Sequence, residues 1–433
     1  MDNSRDGSTR YLMLSIVFGA CMAALMSSYI MTAILKDYHA TVFQMVFVQV
    51  VGTVGGFLGF PMAILVRNQN HKSVIIRFLA INRILIVFFP AILLCPWIGR
   101  TSVPMLIIIL IAIMGLNGAV PSGSTQAWFK AILPEDLQAT ILGTRTALQA
   151  LIVTILTPIV GFFMEHYRGM GLKPDVFYSM VLLIAAGFGL CDIYLLSKVR
   201  ETPSPPKTDF REVLAEVRQA LRDKSITRVV VLFLVVQCTY LFLSPFFLLM
   251  YYDTGLTKFA VGIAVTAGTL GAAVGWIIGG YLADQLRLRM IFFACSVVIT
   301  LCQAGFLCLT FGVFTFGMSQ TFFLGLLTVM VLIYSCCQGC IGAAMTKYTF
   351  ASVRRNSSVS FSLIACFQNF LSFLILTLAA KLGGFLDASA ELLRGYLWRG
   401  FYYMQLLFLL AILIGVATNI FIWTAKDFDV VPE

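Results

Sequence analysis

The sequence predicts an all-α polytopic membrane protein, with twelve transmembrane helices arranged as two six-helix bundles. Three observations carry that prediction. The 433 residues are 60% hydrophobic and only 12% charged, with a mean hydropathy of +0.93. A water-soluble fold of this size has no way to hide that much apolar surface. The apolar residues fall into runs of about 20, the length a helix needs to cross the hydrocarbon core of a bilayer. Finally, two separate stretches of the first half can be laid on the second half at nearly one offset, as duplication of a six-helix unit requires.

Apolar windows place the first six spans near 11–34, 42–66, 74–97, 103–127, 137–164 and 176–197. The second six fall near 227–251, 258–283, 289–312, 318–345, 357–383 and 398–424. The polar opening MDNSRDGSTR leads at Tyr11 into a run too long for a signal-peptide core, with no small-residue cleavage site after it, so it reads as a retained first helix. Residues 1–197 form one half, 198–226 a linker and 227–433 the other half. In the linker, Pro203, Pro205 and Pro206 end span 6. The following DFREVLAEVRQALRDK sets Phe210, Val213, Leu214, Val217 and Leu221 on one stripe. That pattern fits an amphipathic helix lying along the cytoplasmic surface, or else a solvated helical connector.

Lys and Arg orient the chain. With the N-terminus cytoplasmic, that side carries 20 of them and the outer side 8, the bias expected of inner loops. Both termini are therefore expected inside, in a multi-pass protein of the bacterial cytoplasmic membrane. The net charge of +10 (Lys+Arg 30, Asp+Glu 20) is explained by those loops and gives no case for a nucleic-acid partner. Eight of the eleven cysteines (Cys21, Cys95, Cys191, Cys238, Cys295, Cys302, Cys308 and Cys366) sit in apolar runs, where a free thiol acts as a small hydrophobe. Cys336, Cys337 and Cys340 have ligand-like spacing, but no His or carboxylate nearby in sequence completes a site. No cofactor or metal is expected.

The repeat is carried by two alignments. ILGTRTALQALIVTILTP from Ile141 lies on VSFSLIACFQNFLSFLILT from Val359, so that Gln149 meets Gln368; GFPMAILVRN lies on GGYLADQLRLR, so that Gly59 meets Gly280. The second copy contains Gly280, Asp284, Arg287 and Arg289 in the loop after span 8. With these residues the chain resembles the major facilitator superfamily, over essentially its whole length. The stretch GSTQAWFKAILPEDLQATILGTR, from Gly123 to Arg145, looks like the span 4–5 region of poorly characterised bacterial members. The resemblance implies rocking of two six-helix halves, a monomer, and a latch of the cytoplasmic gate made by Gly280, Asp284 and Arg289. In the first copy Ala63 replaces the Asp and only Arg67 keeps the charge. The glycine signature of efflux antiporters in span 5 is met by Gly143, Pro158 and Gly161 but broken by Thr157.

A charge at depth in the bilayer needs a partner or a cavity. Arg83 in span 3, Arg145 in span 5 and Asp192 in span 6 are the three clear cases. Arg145 or Arg83 could receive an anionic solute group, or one of them could pair with Asp192 or snorkel to the surface. Asp192 is the best-placed carboxylate for proton coupling, with Asp37, Glu165 and Asp253 at outer ends. Ser28, Thr32, Asn117, Gln126, Gln149, Gln237, Tyr240, Gln338, Gln368 and Asn369 could line a cavity or bond between helices. Gly271, Gly275 and Gly279 recur every four residues as a small face for close helix approach. No nucleophile, paired catalytic carboxylates or phosphate loop can be assembled, so the chain reads as a carrier and not an enzyme. The expected function is secondary transport of a small organic solute, anionic or zwitterionic, by facilitated diffusion, exchange against a counter-solute or proton coupling. An efflux carrier for amphiphiles, and a receptor or scaffold that keeps the carrier fold, are the alternatives.

Overall fold

A computed structural model describes residues 3–48, 50–51, 69–121, 125, 128, 138–199, 210–314, 317–352, 358–389 and 403–425. The regular structure described is helical throughout. Span 1 is α1 (Asn3–Leu25) followed by α2 (Ser28–Asp37), broken at Ser27, whose backbone is extended at φ −63° and ψ 156°. Residues 42–48 open the helix of span 2, and its glycines lie beyond the described residues. Then come α3 (His71–Leu94), α4 (Val103–Ala119), α5 (Gln138–His166) and α6 (Pro174–Lys198). The linker contributes α7 (Phe210–Leu221), which lies against α13.

The second half repeats the plan. Span 7 is α8 (Lys224–Leu241) and α9 (Ser244–Asp253), interrupted where Pro245 enters the first turn of α9. It is followed by α10 (Lys258–Gln285), α11 (Leu288–Phe314), α12 (Gln320–Ser352), α13 (Ser358–Ala388) and α14 (Met404–Thr424). Ten described helices, counting α1–α2 and α8–α9 as one span each, are long and apolar enough to cross a membrane; α4 is a shorter apolar one. The beginnings of α3, α8 and α10 are capped by side-chain acceptors on Asn70, Asp223 and Thr257. Pro90 and Pro158 interrupt the ladders of α3 and α5 as kink sites.

Within the first half, α1 packs on α5 and α6, and α3 on α4 and α6. Within the second, α8 packs on α13 and α14, and α11 on α12 and α14. The tightest seam joins α10 to α12. There Gly271, Gly275 and Gly279 face the backbone of Leu332, Cys336 and Cys340 so closely that any Cβ would overlap it. The two halves meet chiefly through α5 and α10, with α2 touching α9 and α10. The side where α1 begins and α14 ends is hereafter the near face, and the opposite side the far face. Between them, apolar side chains such as Ile84, Val87, Ile277, Leu301 and Leu413 point away from the protein, as lipid contact demands.

Candidate functional site

The far face is where charged groups converge. The ends of α2 and α9 and the start of α10 bring Asp37, Asp253 and Lys258 to one level, with α6 beginning beside them. Lys258 Nζ lies 2.7 Å from Asp37 Oδ2 and 2.9 Å from the Tyr178 hydroxyl, which itself donates to Asp37 at 2.6 Å. The same ammonium stands 5.5 Å from the ring centres of Tyr167 and Tyr178, within reach of their quadrupoles. A second pair, Lys36 with Asp253, closes at 3.1 Å, and Lys36 also stands 5.2 Å from the Tyr252 ring. Tyr38, just past α2, donates to Asp175 at 2.5 Å. Burial, then that hydrogen bond, raises the Tyr38 pKa well above the ordinary phenol value.

From this rim a wall descends between the halves. The Tyr29 hydroxyl donates to the Lys258 carbonyl, and the Phe259 amide to Glu165 at 3.3 Å. Deeper, Thr266 reaches the Thr154 carbonyl at 3.4 Å. Gly262 passes Pro158, where a Cβ would stand 3.3 Å from the Pro158 Cα.

Mid-bundle polar groups form a second cluster inside the second half. Gln303 on α11 donates to the Thr239 carbonyl, while its Oε1 finds no partner among the described residues. The Tyr334 hydroxyl approaches the Tyr240 carbonyl at 3.4 Å. Gln237 and Tyr240 on α8 are half-buried beside them, as is Gln338 on α12. The remaining amides are used differently. Asn117 donates to the Asn82 side chain at 2.8 Å and to the Phe78 carbonyl at 2.7 Å, tying α4 to α3. Asn369 bonds back to Ala365 of its own helix at 2.8 Å. Gln368 is half-buried and Gln149 exposed.

The intramembrane charges separate. Arg83 and Asp192 form an ion pair at 3.2 Å, both largely buried. Gly189 makes room for the arginine stem, since a Cβ there would stand 2.5 Å from Arg83 Cδ, whereas a Cβ at Gly19 would stand 3.4 Å from the carboxylate, in ordinary contact. Among the described residues, Arg83 Nε has no hydrogen-bond partner. Arg145 lies on α5, but its side chain falls outside the described residues, as do the Asp284 side chain and all of Gln126 and Arg67. Arg289 donates to the carbonyls of Ile422 and Trp423 at the end of α14. No atom of the described residues lies within 4 Å of the Cβ position at Gly280. Of the residues singled out from sequence, the structure thus brings together Arg83 with Asp192, and Gln237 with Tyr240.

Lys258, Tyr178, Gln303 and Tyr334 did not stand out in the sequence. Lys258 looks like an ordinary loop charge at a span end. Gln303, one amide in the apolar run TLCQAGFLC, carried the clearer signal.

The sequence profile of the Major Facilitator Superfamily matches residues 12–376. The chain belongs to that superfamily. Solved structures agree in fold. A D-xylose–proton symporter superposes with a TM-score of 0.69 at 11% identity, over 98% of this chain and 98% of that one. A mutant of the nucleoside transporter NupG gives 0.68 at 11%, over 96% and 98%. A bacterial homologue of the human lysosomal transporter Spinster, solved inward-facing and unoccupied, gives 0.63 at 15%, over 99% and 96%. No curated protein is significantly similar in sequence. This major-facilitator chain is therefore an integral multi-pass membrane protein with the fold of a secondary transporter.

Proposed function

We propose that this major-facilitator chain moves a small organic solute by alternating access, with 1–197 and 227–433 as the rocking halves and 198–226 as their connector. In this reading both termini are cytoplasmic and the far face is external. One observation carries it. Among the described residues, the hydrogen bonds and ion pairs between the halves belong to the far face or to the wall descending from it. Contacts that shut the far side are what a carrier needs in one of its two end states.

The proposed solute is anionic or zwitterionic. Arg83 is already matched by Asp192, so receipt of the anionic group is assigned to Arg145, on the helix that joins the halves. The amides and phenols of Gln237, Tyr240 and Gln338 supply neutral hydrogen bonds from the other side. Facilitated diffusion or solute exchange fits this inventory, whereas proton coupling would have to run through Asp192.

The test is thermal stabilisation of the purified protein and of Arg145→Gln by acidic, neutral and cationic small molecules. A ligand at about 100 times its dissociation constant adds roughly 2.7 kcal/mol to the folded state. Acids that stabilise the parent and not the variant support the assignment. Equal stabilisation of both by neutral or cationic amphiphiles overturns it and favours efflux.

A further inference from the structure

The helices that end spans 1 and 7 are built alike. Both α2 and α9 are ten residues long, begin with Ser and end with Asp. Both follow a break in their span, and each terminal carboxylate, Asp37 or Asp253, meets a lysine from the opposite half. The duplication thus places one carboxylate per half at the far-face seam, each held across it.

The two links differ in surroundings. The Lys36–Asp253 pair stands at the rim, with side chains 38% and 33% exposed, where solvent screens most of the attraction. The Lys258–Asp37 pair is 22% and 17% exposed, is backed by the Tyr178 hydroxyl and stands over two aromatic rings. Partial burial strengthens it and makes a lone survivor of either charge costly to keep there.

We infer that Asp37 and Lys258, with Tyr178 as their shared hydrogen-bond partner, are the latch that holds the far-side gate shut, and that Lys36 with Asp253 is a weaker auxiliary. The inference rests on the alternating-access reading above and names the gating residues of that same machine. Opening the far side must separate Lys258 on one half from Asp37 and Tyr178 on the other. The charges then hydrate separately, so the pair biases the conformational equilibrium by the difference between its joined and parted states.

The experiment is hydrogen–deuterium exchange of the full-length protein in nanodiscs, comparing the parent with Lys258→Gln, Asp37→Asn, Lys36→Gln and the charge swap Asp37→Lys with Lys258→Asp. The expected result is opposed change on the two faces. Lys258→Gln and Asp37→Asn raise exchange about tenfold in far-face segments 154–166 and 258–266 and lower it at the near-face ends of the spans. Lys36→Gln changes it less than about threefold, and the charge swap returns the far face toward parental exchange. Exchange that rises on both faces, or does not change in either single variant, overturns the latch. The readout needs no substrate, so failure to find a transported solute leaves it intact. Equally, a negative result here leaves transport itself untouched.

Discussion

At the scale of single residues, the two ionised side chains described deep in the bundle, Arg83 and Asp192, are each other's partner. They neutralise each other across α3 and α6, with Gly189 leaving room for the arginine stem. Removing one charge strands the other, so Asp192→Asn is expected to destabilise the protein by about 3 kcal/mol. The double variant Arg83→Met with Asp192→Leu should lose less than either single change, as thermal unfolding in detergent would reveal. Greater loss in the double variant would show that the pair is not the source of the cost. Tyr38 gives a pH signature. Its pKa is raised in the folded state by burial and by Asp175, so its contribution is complete below the unfolded phenol pKa of about 10 and declines as pH rises past it. The stability difference between the parent and Tyr38→Phe should stay level from about pH 6 to pH 9 and shrink above about pH 10. A difference that grows with alkalinity would contradict the assigned hydrogen bond. Arg83 and Asp192 were legible from sequence because charge is rare in apolar runs. Asp37 and Lys258 were harder to single out, because charges at span ends are common and their pairing depends on how the halves dock.

At the scale of helices, glycine spacing makes a close-approach face on α10 readable in the sequence, though not that α12 is what meets it. Small residues every four positions form one flat face, and that face meets the backbone of α12. Gly275→Ala must push the helices apart against the Cys336 carbonyl and should lower stability by about 1–3 kcal/mol. Gly280→Ala has open space around its Cβ and should be neutral or stabilise by up to about 1 kcal/mol through helix propensity. Melting temperatures of the two variants test the contrast, and similar losses in both would contradict the packing account. The Pro245 break between α8 and α9 was also legible, because proline removes a backbone donor. The matching break at Ser27 was not, since serine carries no such requirement.

At the scale of the whole molecule, the sequence repeat becomes two helical halves whose first spans both break and both end in an aspartate at one seam. Hydropathy made the helices countable, and the offset between repeats revealed the duplication, since both are properties of a single chain segment or a pair of them. Which face the halves close on was not legible, because that depends on long-range contacts such as Thr266 with Thr154. A far face held shut across the halves in this state predicts a carrier, and therefore a protein that moves solute rather than only binding it. The most direct measurement is counterflow in proteoliposomes, using the solute that most stabilises the purified protein. The account predicts uptake that saturates with concentration and is accelerated by unlabelled solute loaded inside. Uptake that is linear in concentration and equal to that of protein-free vesicles, despite demonstrated binding, would contradict it and identify a receptor built on a carrier fold.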